Sequence, residues 1–275
     1  MSKAPVNIET EDGSSAAAGA AGVGLLKKAL QILDLFTEER PNWTQADLAR
    51  ETKLARSTLG RLVRFLSAAG YLMEQRGRYT LGFAAIDLGR RAQLQFDLVG
   101  LCQSLLEDLA QATAETVILT GYDEIHASVV CLAQIPSRQG GLRVFENIGT
   151  AYPLHSGATA KAVLAFLAQQ QIDSILRGDL TGVNPATTMS ADALRRQIEE
   201  VRTAGFVVTY EETYPGVVGI AVPVLTPRRQ PLGSIAIAAP IQRMDQARID
   251  AYAKLLVDVG RRSAARVAGD AKGGE

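Results

Sequence analysis

The segment from residue 53 to residue 64 is basic and contains no carboxylate. Its polar side chains are those of Lys53, Arg56, Ser57, Thr58, Arg61 and Arg64. Arginine can hydrogen-bond to guanine edges or to phosphates, and Ser and Thr can bond to bases or to the nucleic-acid backbone. This combination is typical of a helix that enters the major groove of DNA. The alternative is a solvated basic face on an ordinary surface helix.

The residues around this segment predict a helix-turn-helix. Four apolar residues recur at i, i+3, i+4 and i+7, which indicates one buried helical face; they are Leu59, Leu62, Val63 and Leu66. The spacing predicts a helix from about Arg56 to Ala68, which ends at Gly70. Thr44 is a suitable N-cap for a shorter helix before it, beginning at Gln45.

A short hairpin is predicted directly after the two helices. Apolar strands flank a turn that contains Gly77, where a positive φ angle is expected. Arg76 and Arg78 lie at its tip, where they could contact phosphates or the minor groove. Together with an amphipathic first helix over Leu25–Phe36, this order is that of a winged helix-turn-helix. A surface hairpin that is merely basic is the weaker alternative.

The charges are distributed unevenly along a chain of 275 residues, which is long enough for two domains. The stretch Val23–Arg91 contains twelve Lys and Arg against seven Asp and Glu, an excess of five positive charges. Because the whole chain has a net charge of zero, the remainder has an excess of five negative charges. A basic N-terminal third predicts a local polyanion partner. The neutral whole argues against a non-specific, nucleoid-type DNA binder.

The sequence offers little for catalysis or metal binding. Cys102 and Cys131 are isolated, and His126 and His155 lack a recognisable ligand spacing. We therefore expect no metal, no cofactor and no disulfide. No nucleophile elbow or phosphate loop is present, so we expect no enzyme activity. The alternative is a small-molecule enzyme that uses its winged helix for protein association.

Nothing in the sequence indicates contact with a membrane. The N-terminus has no apolar signal core, and no run approaches the roughly 18 apolar residues of a membrane span. These features predict a cytoplasmic protein.

Three stretches resemble the DNA-binding domain of the IclR family of bacterial transcription regulators. They are LLKKALQILDLF, LARETKLARSTLGRLVRFLSAAGYL and YTLGFAAIDLG, which begin at residues 25, 48 and 79. The resemblance implies a double-stranded DNA operator, a linker helix after the wing, and assembly as a homodimer or a dimer of dimers. The expected DNA contacts are Lys27, Lys28, Thr44, Gln45, Arg56, Ser57, Thr58, Gly60, Arg61, Arg64, Arg76 and Arg78.

Beyond residue 98 the sequence alternates between strand and helix periods and predicts an α+β domain. Strands are expected at residues 116–122, 127–134, 141–145, 206–212, 219–225 and 232–239. The family resemblance makes this domain an effector-binding domain of the GAF/PAS-like type. The expected organisation is a disordered tail (1–22), the winged helix-turn-helix (23–82), a linker helix (83–97), the effector domain (98–267) and a disordered tail (268–275).

A candidate ligand site lies in YPLHSGATAKAVLAFL, residues 152–167, which resembles the family signature PLHxTAxGKAxLA. Unpaired N–H groups at a helix start favour an anion, and Lys161 is a cation one turn further on. Ala160 departs from the family, which usually has Gly there. The resemblance implies a small organic acid as effector. The expected contacts are Val144, Gly157, Ala158, Thr159, Thr209, Glu211, Gly219, Ala236 and Ala238.

Several of these positions are small and non-polar, namely Gly219, Ala236 and Ala238. A pocket lined in this way has room and few hydrogen-bond donors, which favours a larger, partly apolar ligand such as an aromatic acid. Arg143 is a second possible carboxylate anchor, and an exposed strand arginine is the alternative for it. The sign of regulation does not follow from the sequence.

Overall fold

The structure is a computed structural model that describes residues 16–37, 40–95, 97–139 and 144–273. The chain divides into two compact units, residues 1–95 and residues 96–275. Arg143, the predicted tail up to residue 15 and the last two residues lie outside the described part of the chain.

The first unit combines helices with a small antiparallel sheet. Its elements are α1 (Ala16–Leu33), β1 (Trp43–Thr44), α2 (Gln45–Thr52), α3 (Arg56–Ala68), β2 (Leu72–Gln75), β3 (Arg78–Leu81) and α4 (Phe83–Gln95). The strands are ordered β1-β3-β2, with Trp43 opposite Tyr79. The hairpin of β2 and β3 was predicted, whereas the pairing of β1 was not, because two residues are too few for a strand period.

The core of the first unit forms around the predicted face of α3. Leu59, Leu62, Val63 and Leu66 are all buried. They pack with Ile32 of α1, Leu48 of α2 and Trp43 of β1. The indole N–H of Trp43 donates to the backbone oxygens of Leu35 (2.9 Å) and Arg40 (3.1 Å), which joins the loop before β1 to this core.

Residues 16–22 differ from the prediction, since they form the first turns of α1 instead of a disordered tail. The reason is helix propensity. This segment is mostly alanine, the best helix former, and it runs directly into the amphipathic residues of the same helix.

The second unit has a sheet with helices on both faces. Its helices are α5 (Leu98–Thr113), α6 (Ala158–Leu164), α7 (Gln169–Leu176), α8 (Ala191–Ala204) and α9 (Gln246–Gly273), with one-turn 3-10 helices at Pro185–Thr187 and Ile241–Arg243. Its strands are β4 (Thr116–Asp123), β5 (Ser128–Ile135), β6 (Ala151–Pro153), β7 (Val207–Tyr210), β8 (Val217–Leu225) and β9 (Pro231–Pro240). Among the described residues these strands form one antiparallel sheet, ordered β6-β5-β4-β9-β8-β7.

Alternation along the strands sends side chains to two cores. Val117 and Leu119 of β4, with Ile235 and Ile237 of β9, pack with the apolar sides of α5 and α9. Ala236 of β9 faces the other way and packs with α6, α7 and α8. This two-residue period on a doubly covered sheet confirms the predicted α+β class.

The largest departures from the predicted boundaries lie at the third expected strand and at the C-terminal tail. Val144 and Phe145 lie outside any strand, and residues 141–143 of the expected strand lie outside the described part. Residues 151–153 form the edge strand β6 instead. The predicted tail from residue 268 belongs to α9 as far as Gly273, because its alanines and lysine continue the helix.

Candidate DNA-binding surface and effector cavity

The outer face of α3 exposes the predicted basic residues. Arg56, Ser57, Arg61 and Arg64 are exposed, and Thr58 is half-buried. The Arg64 Nε–H donates to the backbone oxygen of Gly60 at 3.2 Å, so part of its donor capacity is used on its own helix. In the described part of the chain, no carboxylate forms an ion pair with Arg56 or Arg61. The guanidinium groups of Arg56 and Arg61 are therefore exposed without a carboxylate partner among the described residues.

Three predicted contact residues shape the crossing of α2 and α3. Thr44 caps α2, because its hydroxyl accepts the Asp47 N–H at 3.1 Å and also donates to the Asp47 carboxylate at 2.9 Å. A Cβ on Gly60 would lie 3.3 Å from Nε2 of the exposed Gln45. Gly60 thus permits the close approach of the two helices.

The two predicted contact residues of α1, Lys27 and Lys28, are exposed.

The wing turns through two residues with positive φ, Arg76 (53°) and Gly77 (75°). Positive φ at both central residues defines the tight hairpin turn that matches strand twist. From the sequence, a positive φ was predicted for Gly77 but not for Arg76. Arg76 and Arg78 are exposed at the tip, as expected from their place in the sequence.

The wing is fixed to the end of α3 by a close backbone approach. Gly82 N–H donates to the Tyr71 oxygen at 2.8 Å, and Ala84 N–H donates to the Gly70 oxygen at 3.1 Å. A Cβ on Gly82 would overlap the Gly70 carbonyl oxygen. Any residue larger than glycine at position 82 would therefore force its backbone away from the Gly70 carbonyl group.

The second unit contains a small cavity between α6 and the sheet. Its wall consists of Ile118, Val144, Glu146, Ala158, Thr159, Thr209, Glu212, Thr213, Tyr214, Val217, Gly219, Ala236, Ile237 and Ala238. Seven of the nine predicted effector contacts are in this wall. The other two are Gly157 and Glu211. Gly157 precedes α6 with φ of 89° and lies against Thr213, where a Cβ would clash with the threonine hydroxyl.

The wall contains the carboxyl groups of Glu146 and Glu212, whereas the predicted Glu211 lies outside it. Strand β7 ends at Tyr210, and Glu211 has a left-handed φ of 58°. Its carboxylate accepts the Gly216 N–H at 2.6 Å and closes the turn before β8. The reversal of the chain at Glu211 directs the next side chain, Glu212, toward α6.

Glu212 forms a buried ion pair with Lys161 of α6. Lys161 is 2% exposed, and its Nζ lies 2.6 Å from Oε1 of Glu212 and 2.9 Å from Sδ of Met189. The other oxygen of Glu212 accepts the Gly157 N–H at 2.9 Å. Burial lowers the pKa of Lys161, and the nearby carboxylate opposes this effect. The protein thus places its own carboxylate beside the start of α6, where the sequence suggested a ligand anion.

The second carboxyl group of the wall, that of Glu146, was not predicted from the sequence. Glu146 is buried, and burial raises its pKa to about 7. A hydrogen bond from Tyr152 has the opposite, smaller effect on this pKa. The Tyr152 hydroxyl lies 2.6 Å from that of Tyr214. The available signal was one acidic residue close to three large apolar residues, Val144, Phe145 and Ile148.

The described residues include no group of three His, Cys, Asp or Glu side chains arranged to hold a metal ion. Within the same residues, no helix has the length and apolar character that a bilayer crossing requires.

A winged helix-turn-helix with a basic helix face, carried on one chain with a sheet domain that encloses a cavity, defines a DNA-binding regulator with an effector domain. The chain belongs to the IclR family. Residues 92–264 match the family described as bacterial transcriptional regulator IclR C-terminal. Residues 25–76 match the IclR helix-turn-helix domain. Members of this family are transcriptional regulators, so the protein is a regulator and not an enzyme.

Individual relatives agree with this assignment. The HTH-type transcriptional regulator XynR of Escherichia coli strain K12 is 27% identical over 241 residues, 86% of this chain and 93% of that protein. The glycerol operon regulatory protein of Streptomyces griseus is 28% identical over 223 residues, 80% of this chain and 85% of that protein. The crystal structure of an IclR homolog from Microbacterium hydrocarbonoxydans, complexed with 4-hydroxybenzoate, is 21% identical with a TM-score of 0.78, and the match covers 88% and 98% of the two chains.

Proposed function

We propose that α3 reads the operator through Arg56, Ser57, Thr58 and Arg61, and that the wing contacts the backbone or the minor groove. The exposed face of α3 supports this, because it presents guanidinium and hydroxyl groups without a pairing carboxylate. Arg64 and the wing residues Arg76 and Arg78 add charge for phosphate contacts. Lys27, Lys28 and Gln45 lie at the edge of this surface, and Thr44 and Gly60 position its helices.

We further propose that the cavity of the second unit binds the effector, a small organic acid that carries a ring. The first intrahelical bond of α6 runs from the Lys161 N–H to the Gly157 oxygen, so the N–H groups of Ala158 and Thr159 have no partner within the helix. These groups can accommodate a carboxylate. The small apolar residues Gly219, Ala236 and Ala238 belong to the same wall and add no hydrogen-bond donor from a side chain. The relative crystallised with 4-hydroxybenzoate supports a ligand of this kind.

The operator is proposed to be bound by a homodimer or a dimer of dimers. Val23, Leu26 and Leu30 of α1 expose apolar side chains, as do Phe83 (73% exposed) and Ile86 (67% exposed) of α4. Such exposed apolar faces are typical of surfaces that pack against a partner. A two-fold arrangement would also double the short contact that one helix-turn-helix makes. Within this scheme residues 23–82 bind DNA, 83–97 link, and 98–267 bind the effector.

The regulated genes are proposed to form a catabolic operon. A relative named for the glycerol operon supports this proposal. The effector would act by favouring either the DNA-competent or the incompetent arrangement of the recognition helices, which is a population shift.

Fluorescence anisotropy tests these proposals. The purified protein is titrated onto fragments from upstream of its own gene and of neighbouring genes at two salt concentrations, with and without aromatic acids. We expect one fragment to bind far better than random DNA, with a salt slope of about −0.9 per phosphate contact. We also expect one acid to change that affinity. Equal binding to every fragment would contradict an operator function.

A further inference from the structure

Glu146 is a buried carboxyl with an unused acceptor in the wall of the cavity. It is 7% exposed, and its Oε1 has no hydrogen-bond partner among the residues that the structure describes. Its backbone N–H donates to the side-chain oxygen of Gln134 on β5 at 2.6 Å, which fixes its main chain. Because an unpaired buried carboxylate oxygen is unfavourable, native proteins satisfy such atoms with a partner. Its place in the wall indicates a partner inside the cavity.

Within the described ranges, the groups around Glu146 include no Lys or Arg that forms an ion pair with its carboxylate. The Tyr152 hydroxyl on β6 bonds to its carboxyl group, and Tyr214, from the turn before β8, bonds to Tyr152. Cys131 on β5 is buried close to Tyr214. Glu212, the other acid of the wall, is held by Lys161 and the Gly157 N–H. Neither Lys nor Arg belongs to the wall as far as the described residues form it.

These surroundings match one hydrogen-bond donor on a largely apolar ligand. An ammonium group has three donors and would need an acceptor for each. Glu146 offers a single unpartnered oxygen, and Ile118, Val144 and Val217 make the neighbouring wall apolar. A hydroxyl group needs only one acceptor and can be buried among apolar side chains once that bond is formed.

We propose that Glu146 determines effector specificity by accepting a hydrogen bond from an effector hydroxyl group through Oε1. The inference rests on the proposed function of the cavity as the effector site, and it adds a hydroxyl to the expected acid. The carboxylate of the effector lies at the start of α6, and its hydroxyl lies at Glu146. Glu146 is therefore the residue that distinguishes a hydroxy acid from the acid without the hydroxyl.

The ionisation of Glu146 gives this proposal a pH signature. Burial raises the pKa of Glu146 to about 7. The ionised carboxylate only accepts hydrogen bonds, so it favours a hydroxyl donor. The affinity advantage of a hydroxylated ligand should therefore increase as the pH rises through about 7. A ligand that directs a carboxylate at Glu146 would need the protonated form and would show the opposite dependence.

Isothermal titration calorimetry on the full-length protein tests this with matched probes at about pH 6 and about pH 8. The probes are benzoate with its 3-hydroxy and 4-hydroxy derivatives, and butyrate with 4-hydroxybutyrate. We expect at least one hydroxylated probe to bind about tenfold or more tightly than its parent acid at the higher pH. The ratio within each pair cancels the contributions of the shared carboxylate. It should be smaller at the lower pH.

Substitutions at position 146 test whether Glu146 causes the difference in affinity between hydroxylated and parent acids. The substitution Glu146→Gln should remove the pH dependence of the ratio and reduce its size, because the amide keeps one neutral acceptor oxygen and loses the charge. Glu146→Asp keeps the charge but shortens the side chain by one methylene, so the hydroxylated probe should lose its affinity advantage over the parent acid. This variant provides a second test if the Gln variant does not fold. Glu200→Gln, an exposed charge on α8, is the matched control and should keep both properties. Thermal unfolding of each variant verifies that it is folded.

Operator binding by the same variants separates this inference from the proposed function. If the parent acids bind as tightly as the hydroxy acids, or if no hydroxylated probe binds, the role of Glu146 is overturned. Operator release by a parent acid would then leave the proposed function standing. Conversely, hydroxylated probes that bind through Glu146 without changing operator affinity would support the site and refute its regulatory role.

Discussion

The substitution Glu146→Gln should change how the stability of the effector domain depends on pH, even without a ligand. In the folded protein the pKa of Glu146 is about 7, against an ordinary value of 4.5. The folded state therefore keeps the proton to higher pH than the unfolded state does. Its contribution to the free energy of unfolding is present below about pH 4.5 and is lost as the pH rises to about 7. One pKa unit corresponds to about 1.4 kcal/mol, so the loss amounts to about 3 kcal/mol.

Urea unfolding of the full chain from about pH 4.5 to about pH 8 measures this effect. Circular dichroism follows the helices and strands, whereas fluorescence of Trp43, the single tryptophan, follows the first unit as an internal control. As the pH rises to about 7, the free energy of unfolding of the wild-type protein should fall by about 3 kcal/mol relative to that of the Gln variant. Above about pH 7 the difference between the two proteins should stay constant. The Trp43 transition should not differ between them. A difference that is the same at every pH would refute the reasoning.

Three further predictions concern other parts of the chain. Lys161→Met leaves the Glu212 carboxylate buried without its cation, so it should destabilise the effector domain by about 3 kcal/mol or more in urea, and adding Glu212→Leu should recover part of the loss. Arg61→Ala should weaken operator binding by about 1–3 kcal/mol and random DNA much less, whereas Arg76→Ala should weaken both alike and reduce the salt slope by about one; unchanged anisotropy curves for both would mean that another surface binds DNA. Gly82→Ala would overlap a backbone oxygen and should abolish the cooperative tryptophan transition, and a normal transition would contradict this packing.

Local sequence patterns were sufficient to predict those helices and strands whose formation depends mainly on their own residues. The buried face of α3 follows from apolar residues at helical spacing. Helix α8 begins and ends at residues whose types cap helices, because the Ser190 hydroxyl accepts the Ala193 N–H at 3.2 Å and Gly205 adopts a left-handed conformation. The winged helix-turn-helix and the α+β class could be inferred for the same reason, together with the family resemblance.

The tertiary structure decided which charged groups meet beside the cavity of the second unit. Strand pairing and one residue with positive φ, Glu211, determine that Glu212 turns toward Lys161. Sequence position alone could not separate two adjacent glutamates, since a shift of one residue reverses the direction of a side chain. It also could not show that Lys161 and Glu146 are buried. Burial and the pKa shifts that follow from it are properties of groups brought together from distant parts of the chain.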